Sequence, residues 1–239
     1  MKHFPNFITS LNLTSGFIAI IFAANGNLVT ASWFILAAMI FDFLDGLSAR
    51  LLKAYSDIGK ELDSLADVVS FGVAPGLIIY QLLNNSLSLY APLIVNSDGL
   101  KASLILIFPA IMPVCGALRL AKFNIDKTQA TTFKGLPIPA NALAVISIVI
   151  TGHYSQSELL NSFTGSPFLL MLFTIILSLL MVSRISLFSL KVSNLKLKGN
   201  EGRYILVGLV LIFFAIFGTL AIPLIVPLYI VSSALSLLF

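Results

Sequence analysis

The chain has 239 residues, of which 58% are hydrophobic and 10% charged, and its formal net charge is +4. A water-soluble domain carries about a quarter charged residues and has no means of hiding this much apolar side chain. Lipid is therefore the expected solvent, and a soluble enzyme or a nucleic-acid binder is excluded. Long unbroken apolar runs, rather than alternating ones, select helices over a barrel among the structures lipid permits. The fold is read as all-α, a polytopic transmembrane helical bundle forming a single domain over residues 1–239.

Eight apolar segments are expected in chain order, at 7–24, 28–48, 62–83, 100–121, 137–153, 166–183, 204–220 and 222–238. About 20 apolar residues cross the hydrocarbon core, and several segments run short of that. The last pair is separated only by a turn near Ala221–Pro223. It reads as two separate helices, with one re-entrant helix or one long kinked helix as the alternatives. Lys2 is followed by a long apolar stretch with no small-residue cleavage site, so a removable signal peptide is not expected.

Charge placement orients the segments. With a cytoplasmic N-terminus, every Lys and Arg except Lys101 falls on the cytoplasmic side, as the positive-inside rule requires. The expected setting is multi-pass in the cytoplasmic (inner) membrane, with the functional site inside. No basic residue follows the last two segments, so their orientation is left open. The basic run Lys191–Lys198 reads as a contact with anionic headgroups. Cys115 reads as packing, Trp33 and Tyr154 as interfacial anchors, and neither His3 nor His153 as a catalyst.

Of ten acidic residues, six lie between Asp42 and Asp67. Asp42, Asp45, Asp63 and Asp67 interrupt otherwise apolar helices, where a carboxylate costs at least ~2.5 kcal/mol and signals function. Asp42 and Asp45 are i,i+3, and Asp63 and Asp67 are i,i+4, so each pair shares a helix face. The connection between the two helices is short, so the pairs are expected to converge from antiparallel neighbours. Four carboxylates together repel unless cations sit between them, and hard oxygen ligands suit Mg²⁺, Mn²⁺ or Ca²⁺. A proton relay or ion path in a transporter uses the same residue type. Composition alone leaves both readings open.

Residues 42–67 read D-F-L-D-G-L-S-A-R-L-L-K-A-Y-S-D-I-G-K-E-L-D-S-L-A-D. This resembles the CDP-alcohol phosphotransferase signature D-x2-D-G-x2-A-R-x8-G-x3-D-x3-D at every fixed position. The resemblance implies a six-helix catalytic core within the eight segments. It implies a two-metal site, Mg²⁺ or Mn²⁺, with Asp42, Asp45 and Asp63 as ligands and Asp67 close to metal. It also makes Asp67 the general base that takes the alcohol proton. Gly46, Ala49 and Arg50 stand where the family contacts the CDP moiety, and Gly59 where close packing is needed. A homodimer is common in families of this kind, and no interface signature is visible in the chain.

Three further stretches resemble the serine-using bacterial and archaeal branch of that family. They are F-P-N-F-I-T-S-L-N (Phe4–Asn12), A-L-R-L-A-K-F-N (Ala117–Asn124) and F-K-G-L-P-I-P-A (Phe133–Ala140). The implied substrates are CDP-diacylglycerol and L-serine, with glycerol 3-phosphate or an inositol phosphate as the alternative acceptor. A cation- or proton-coupled transporter is the competing class, and it gives the A-R-x8-G spacing no purpose. Arg119 is assigned to the serine carboxylate, a bidentate match, with Asn124 and Lys134 assisting. Asn6, Thr9 and Asn12 recur on one face of the first segment, and Asn12 is assigned to the cytidine pocket.

Overall fold

The structure is a computed structural model that describes residues 3–89, 105–125, 132–188 and 200–236. Lys101, Lys127, the Lys191–Lys198 run and the outer ends of two expected segments (100–104 and 237–238) lie outside the described residues.

Helix α1 (Phe4–Ala24) opens with Pro5 in its first turn, where the missing N–H costs nothing. Helix α2 (Leu28–Leu51) is capped by Asn27, whose side chain accepts from Thr30 N at 3.2 Å. It stops at Lys53, which takes a left-handed φ of +50° and lets Ala54 N bond back to Ala49 O at 3.0 Å. Ser56 then caps α3 (Asp57–Asp67) by accepting from Gly59 N at 3.0 Å. A π-helical turn, Val68–Val73, follows at once and passes into α4 (Ala74–Leu89). One unbroken helical run thus carries Asp63 and Asp67 into the bilayer-spanning part of the chain.

The next run, Ile105–Ile125, contains a 3-10 turn at Phe108–Ala110 and helix α5 (Ile111–Ile125). A short strand β1 (Thr132–Lys134) precedes α6 (Ile138–Ser155). Helices α7 (Glu158–Thr164) and α8 (Pro167–Val182) meet at an 81° bend. Strand β2 (Ser186–Phe188) pairs antiparallel with β1, setting Thr132 opposite Phe188 and Lys134 opposite Ser186. This ribbon was not expected from the sequence, because three residues are too few to show an alternating pattern.

Among the described residues, six helical runs are long and apolar enough to cross a membrane, and α7 with α8 makes a seventh if the bent pair is one span. The last run, Glu201–Leu235, holds α9 (Glu201–Phe217), a 3-10 segment (Gly218–Leu224) and α10 (Ile225–Leu235). A straight helix would separate Gly202 from Ser236 by about 50 Å. Instead, a Cβ placed on Gly202 would lie 2.8 Å from the Ser236 Cβ. The run is folded back on itself at Gly218, whose φ is +57°. The ambiguous pair of segments is therefore a hairpin, not one long helix. The chain is an all-α, multi-pass membrane protein with a small ribbon at one end.

Packing follows what lipid demands. Between helices the buried positions are often small, as at Ala19, Ala23, Ala31 and Ala38, because close backbone approach replaces the hydrophobic effect as the source of cohesion. Phe7, Phe17, Ile40, Leu211 and Ile216 point outward. Among the described glycines the tightest approach is between α1 and the π turn, where a Cβ on Gly16 would come within 2.1 Å of Ser70 Oγ. Ser70 Oγ donates to Asn12 O at 3.1 Å across the same contact. On the other side of the turn, Asn141 Nδ2 from α6 donates to Phe71 O at 3.4 Å. The turn that follows Asp67 is thus held by two helices.

Candidate active site

Helix α1 packs against both α2 and α3, and it sets the distance between the two acidic pairs. Carboxylate oxygens of Asp42, Asp63 and Asp67 lie within 4.8 Å of one another. Asp45 stands outside this trio, beside Thr9 of α1. One oxygen each of Asp45, Asp63 and Asp67 is buried without a hydrogen-bond partner. Such atoms forgo their hydration for nothing unless a ligand meets them. An all-carboxylate donor set with unsatisfied oxygens matches a hard divalent cation, so the trio is able to hold a metal ion.

A cavity of about 520 Å³ opens beside these acids. Asp42, Asp45 and Asp63 form one wall, and Gly46, Ala49, Arg50 and Gly59 line the rest with Asn6, Thr9 and Lys60. Arg50 Nε donates to Gly46 O at 3.0 Å, which lays the guanidinium stem along its own helix. A Cβ on Gly59 would come within 2.8 Å of Asn6 Oδ1, so that glycine admits the α1 asparagine. Asn12 lies elsewhere. It sits six residues, or about 9 Å of helix, beyond Asn6, has no exposed surface and faces Asp67. Both polar atoms of its side chain are unbonded. Its place is beneath the carboxylates rather than in the lining of the cavity. The residues of α1 that do reach the cavity, Asn6 and Thr9, share the helix face that the sequence pattern picked out.

A second cavity of about 450 Å³ is lined by Arg119, Lys122, Lys134 and Arg184, with Phe123 and Met181 among its apolar walls. Arg119 is 8% exposed, its Nε is without a partner, and it feels the charge of Asp67. Asp67 and Arg119 therefore stand where the acidic site meets the basic cavity. Asn124 does not line this cavity. Its Nδ2 donates to Ser64 Oγ at 2.9 Å and its carbonyl accepts from Lys60 Nζ at 3.2 Å, tying the end of α5 to α3. Arg184 does line it, although in the sequence it resembles any cation at the cytoplasmic end of an apolar segment.

The cavity owes its shape to one glycine. Gly135 has a φ of +77° and donates its N–H to Ile185 O at 2.9 Å, while Leu136 N donates to Leu180 O at 2.9 Å. A Cβ there would lie 2.4 Å from Met181 O. Only glycine combines this backbone angle with this approach. The strap it forms satisfies one carbonyl in the last turn of α8 and one just beyond it and brings Lys134 to the same cavity as Arg184.

Residues 2–183 match the sequence profile of the CDP-alcohol phosphatidyltransferase family. The chain belongs to that family. Among its relatives is the CDP-diacylglycerol–serine O-phosphatidyltransferase of Bacillus subtilis (strain 168), 39% identical over 186 residues, which are 77% of this chain and 89% of that protein. The protein of the same name from Helicobacter pylori (strain J99) is 36% identical over 209 residues, 85% of this chain and 78% of the relative. An archaetidylserine synthase from Methanothermobacter thermautotrophicus is 36% identical over 154 residues, 64% of this chain and 60% of the relative.

In this CDP-alcohol phosphatidyltransferase the family match contains the first cavity, all four acids and every lining residue of the second cavity except Arg184, and it ends at residue 183. Strand β2 and the α9–α10 hairpin lie beyond it. The transporter reading is set aside by membership of the family.

Proposed function

We propose that the chain transfers the phosphatidyl group of CDP-diacylglycerol to L-serine and releases CMP at the cytoplasmic face. The observation that carries this is that Asp67 clusters with Asp42 and Asp63, which line the first cavity, and lies within electrostatic reach of Arg119, which lines a cavity with three other cations. The names of the relatives from B. subtilis and H. pylori support serine as the acceptor. The orientation rests on the basic residues, which gather at the same end as both cavities.

On this reading Asp42, Asp45, Asp63 and Asp67 hold divalent cations, a Mg²⁺ or Mn²⁺ pair. When bound, such ions neutralise pyrophosphate charge and polarise the phosphoryl oxygens. The chain's own residues do the rest. Gly46 and Ala49 leave room for the CDP moiety, Arg50 meets its negative charge, and Gly59 lets α1 close over it. Arg119 grips the serine carboxylate, with Lys134 and Arg184 adding positive field. Asp67 takes the proton of the serine hydroxyl as its oxygen attacks the phosphorus that bears diacylglycerol. The bond from that phosphorus to the bridging oxygen breaks, and its electron pair leaves with CMP. A serine hydroxyl is a weak nucleophile at neutral pH and requires such a base within hydrogen-bond reach.

The test is CMP release from CDP-diacylglycerol by the purified chain with Mg²⁺ or Mn²⁺, offering serine, glycerol 3-phosphate and inositol phosphate separately. Serine-dependent release is expected. Release with only an anionic acceptor would overturn the serine assignment.

A further inference from the structure

The α9–α10 hairpin lies outside the matched residues 2–183, yet it reaches back to the basic cavity. Tyr229 of α10 is 4% exposed. Its hydroxyl donates to Phe188 O of β2 at 2.8 Å, and its ring meets Phe188 edge-on with centroids 5.3 Å apart. Its other neighbour is Arg119, within whose electrostatic reach it lies. Phe188 is opposite Thr132 in the ribbon, and two residues on, Lys134 is opposite Ser186. One side chain therefore bonds the strand that pairs with the strand of Lys134 and also lies within electrostatic reach of Arg119.

The other arm of the hairpin is seated against Phe188 as well. Gly202 of α9 leaves no room for a Cβ, which would fall 2.9 Å from the Phe188 ring and 2.8 Å from Ser236. Phe188 is thereby clasped between the start of α9 and the ring of Tyr229. We infer that Tyr229 is a positioning residue for the acceptor, and that the C-terminal hairpin sets serine affinity by holding the β1–β2 ribbon and Arg119 in register. This rests on the reading of the basic cavity as the acceptor site.

The test uses the full chain carrying Tyr229→Phe, Gly202→Ala or Arg119→Gln, with KM for serine, KM for CDP-diacylglycerol and kcat measured for each. Losing the Tyr229 hydrogen bond is expected to raise the serine KM about tenfold, the scale of one such bond. The KM for CDP-diacylglycerol and kcat are expected to stay near their original values. Gly202→Ala should act in the same direction, and it carries the decision if Tyr229→Phe does not fold. An unchanged serine KM in both hairpin variants, with a raised one in Arg119→Gln, overturns the role of Tyr229 and leaves the acceptor site standing. An unchanged serine KM in Arg119→Gln removes the acceptor site and this inference with it. An equal loss across all three constants means that the hairpin only supports the fold, which also overturns the proposal.

Discussion

Asp67 and Arg119 come from different helices, are each 8% exposed, and lie within electrostatic reach of one another, Asp67 in the carboxylate trio and Arg119 in the wall of the basic cavity. Neither completes its hydrogen bonding, since Asp67 Oδ1 and Arg119 Nε are both left without partners. A buried acid and a buried cation so placed are oriented for something other than each other. The acid belongs to the carboxylate cluster, and the cation lines the basic cavity.

Replacing Asp67 with Asn keeps the shape of the side chain and removes its capacity to take a proton. CMP release is expected to fall by about 10²–10⁴-fold, the usual worth of a general base. The folded protein should be retained, as judged by its thermal unfolding. Full turnover in this variant would remove the assignment.

Metal dependence has a readout independent of turnover. The unsatisfied oxygens of Asp45, Asp63 and Asp67 gain partners from a bound cation. Mg²⁺ at a hundredfold excess over its Kd should therefore stabilise the protein by about 2.7 kcal/mol. A chelator should reverse the rise in unfolding temperature. Asp42→Asn and Asp63→Asn should abolish it, and an undiminished shift in both would place the ion elsewhere.

Arg119→Lys preserves charge and loses the planar fork that matches a carboxylate. Serine KM is expected to rise about 10–100-fold, in keeping with the 1.5–3 kcal/mol of a hydrogen bond to a charged group. Steady-state kinetics at saturating CDP-diacylglycerol measures this directly. An unaltered KM would show that no bidentate grip exists.

Gly16→Ala tests the seat of the π turn. The added methyl would stand 2.1 Å from Ser70 Oγ and 2.7 Å from Ser70 Cα, so backbone as well as side chain must shift. Overpacking of this kind costs about 1–3 kcal/mol. A lower unfolding temperature is expected, together with weaker Mg²⁺ stabilisation, because the displaced turn begins one residue after Asp67.

Lys53→Gly should do the opposite. Lys53 ends α2 at a φ of +50°, a conformation that costs a residue with a Cβ about 1–2 kcal/mol. Relief of that strain, less the extra chain entropy of glycine, should leave stability unchanged or raised by up to about 1 kcal/mol. A clear drop in thermal stability would show that the lysine side chain contributes there.

The helical segments and the acidic motif were legible because both depend on order along the chain. A hydrophobic run long enough to cross lipid declares itself by composition, and i,i+3 and i,i+4 spacing puts Asp42 with Asp45 and Asp63 with Asp67 whatever surrounds them. The cationic cavity was legible only in part. Arg119 and Lys134 stood out by resemblance, whereas Arg184 looked like one more cytoplasmic cation. Tyr229, far along in a merely hydrophobic stretch, gave no signal at all.

What the sequence determined by itself is the class of solvent, the helices and the identity of the acids, since these follow from local chemistry and helical period. What only the tertiary structure decided is which residues meet. Asn12 went beneath the carboxylates and Asn124 onto Ser64, and the final segments closed as a hairpin against Phe188. Those outcomes depend on how closely one backbone can approach another, as at Gly16, Gly135 and Gly202, and that distance is a property of two segments at once, which neither records alone.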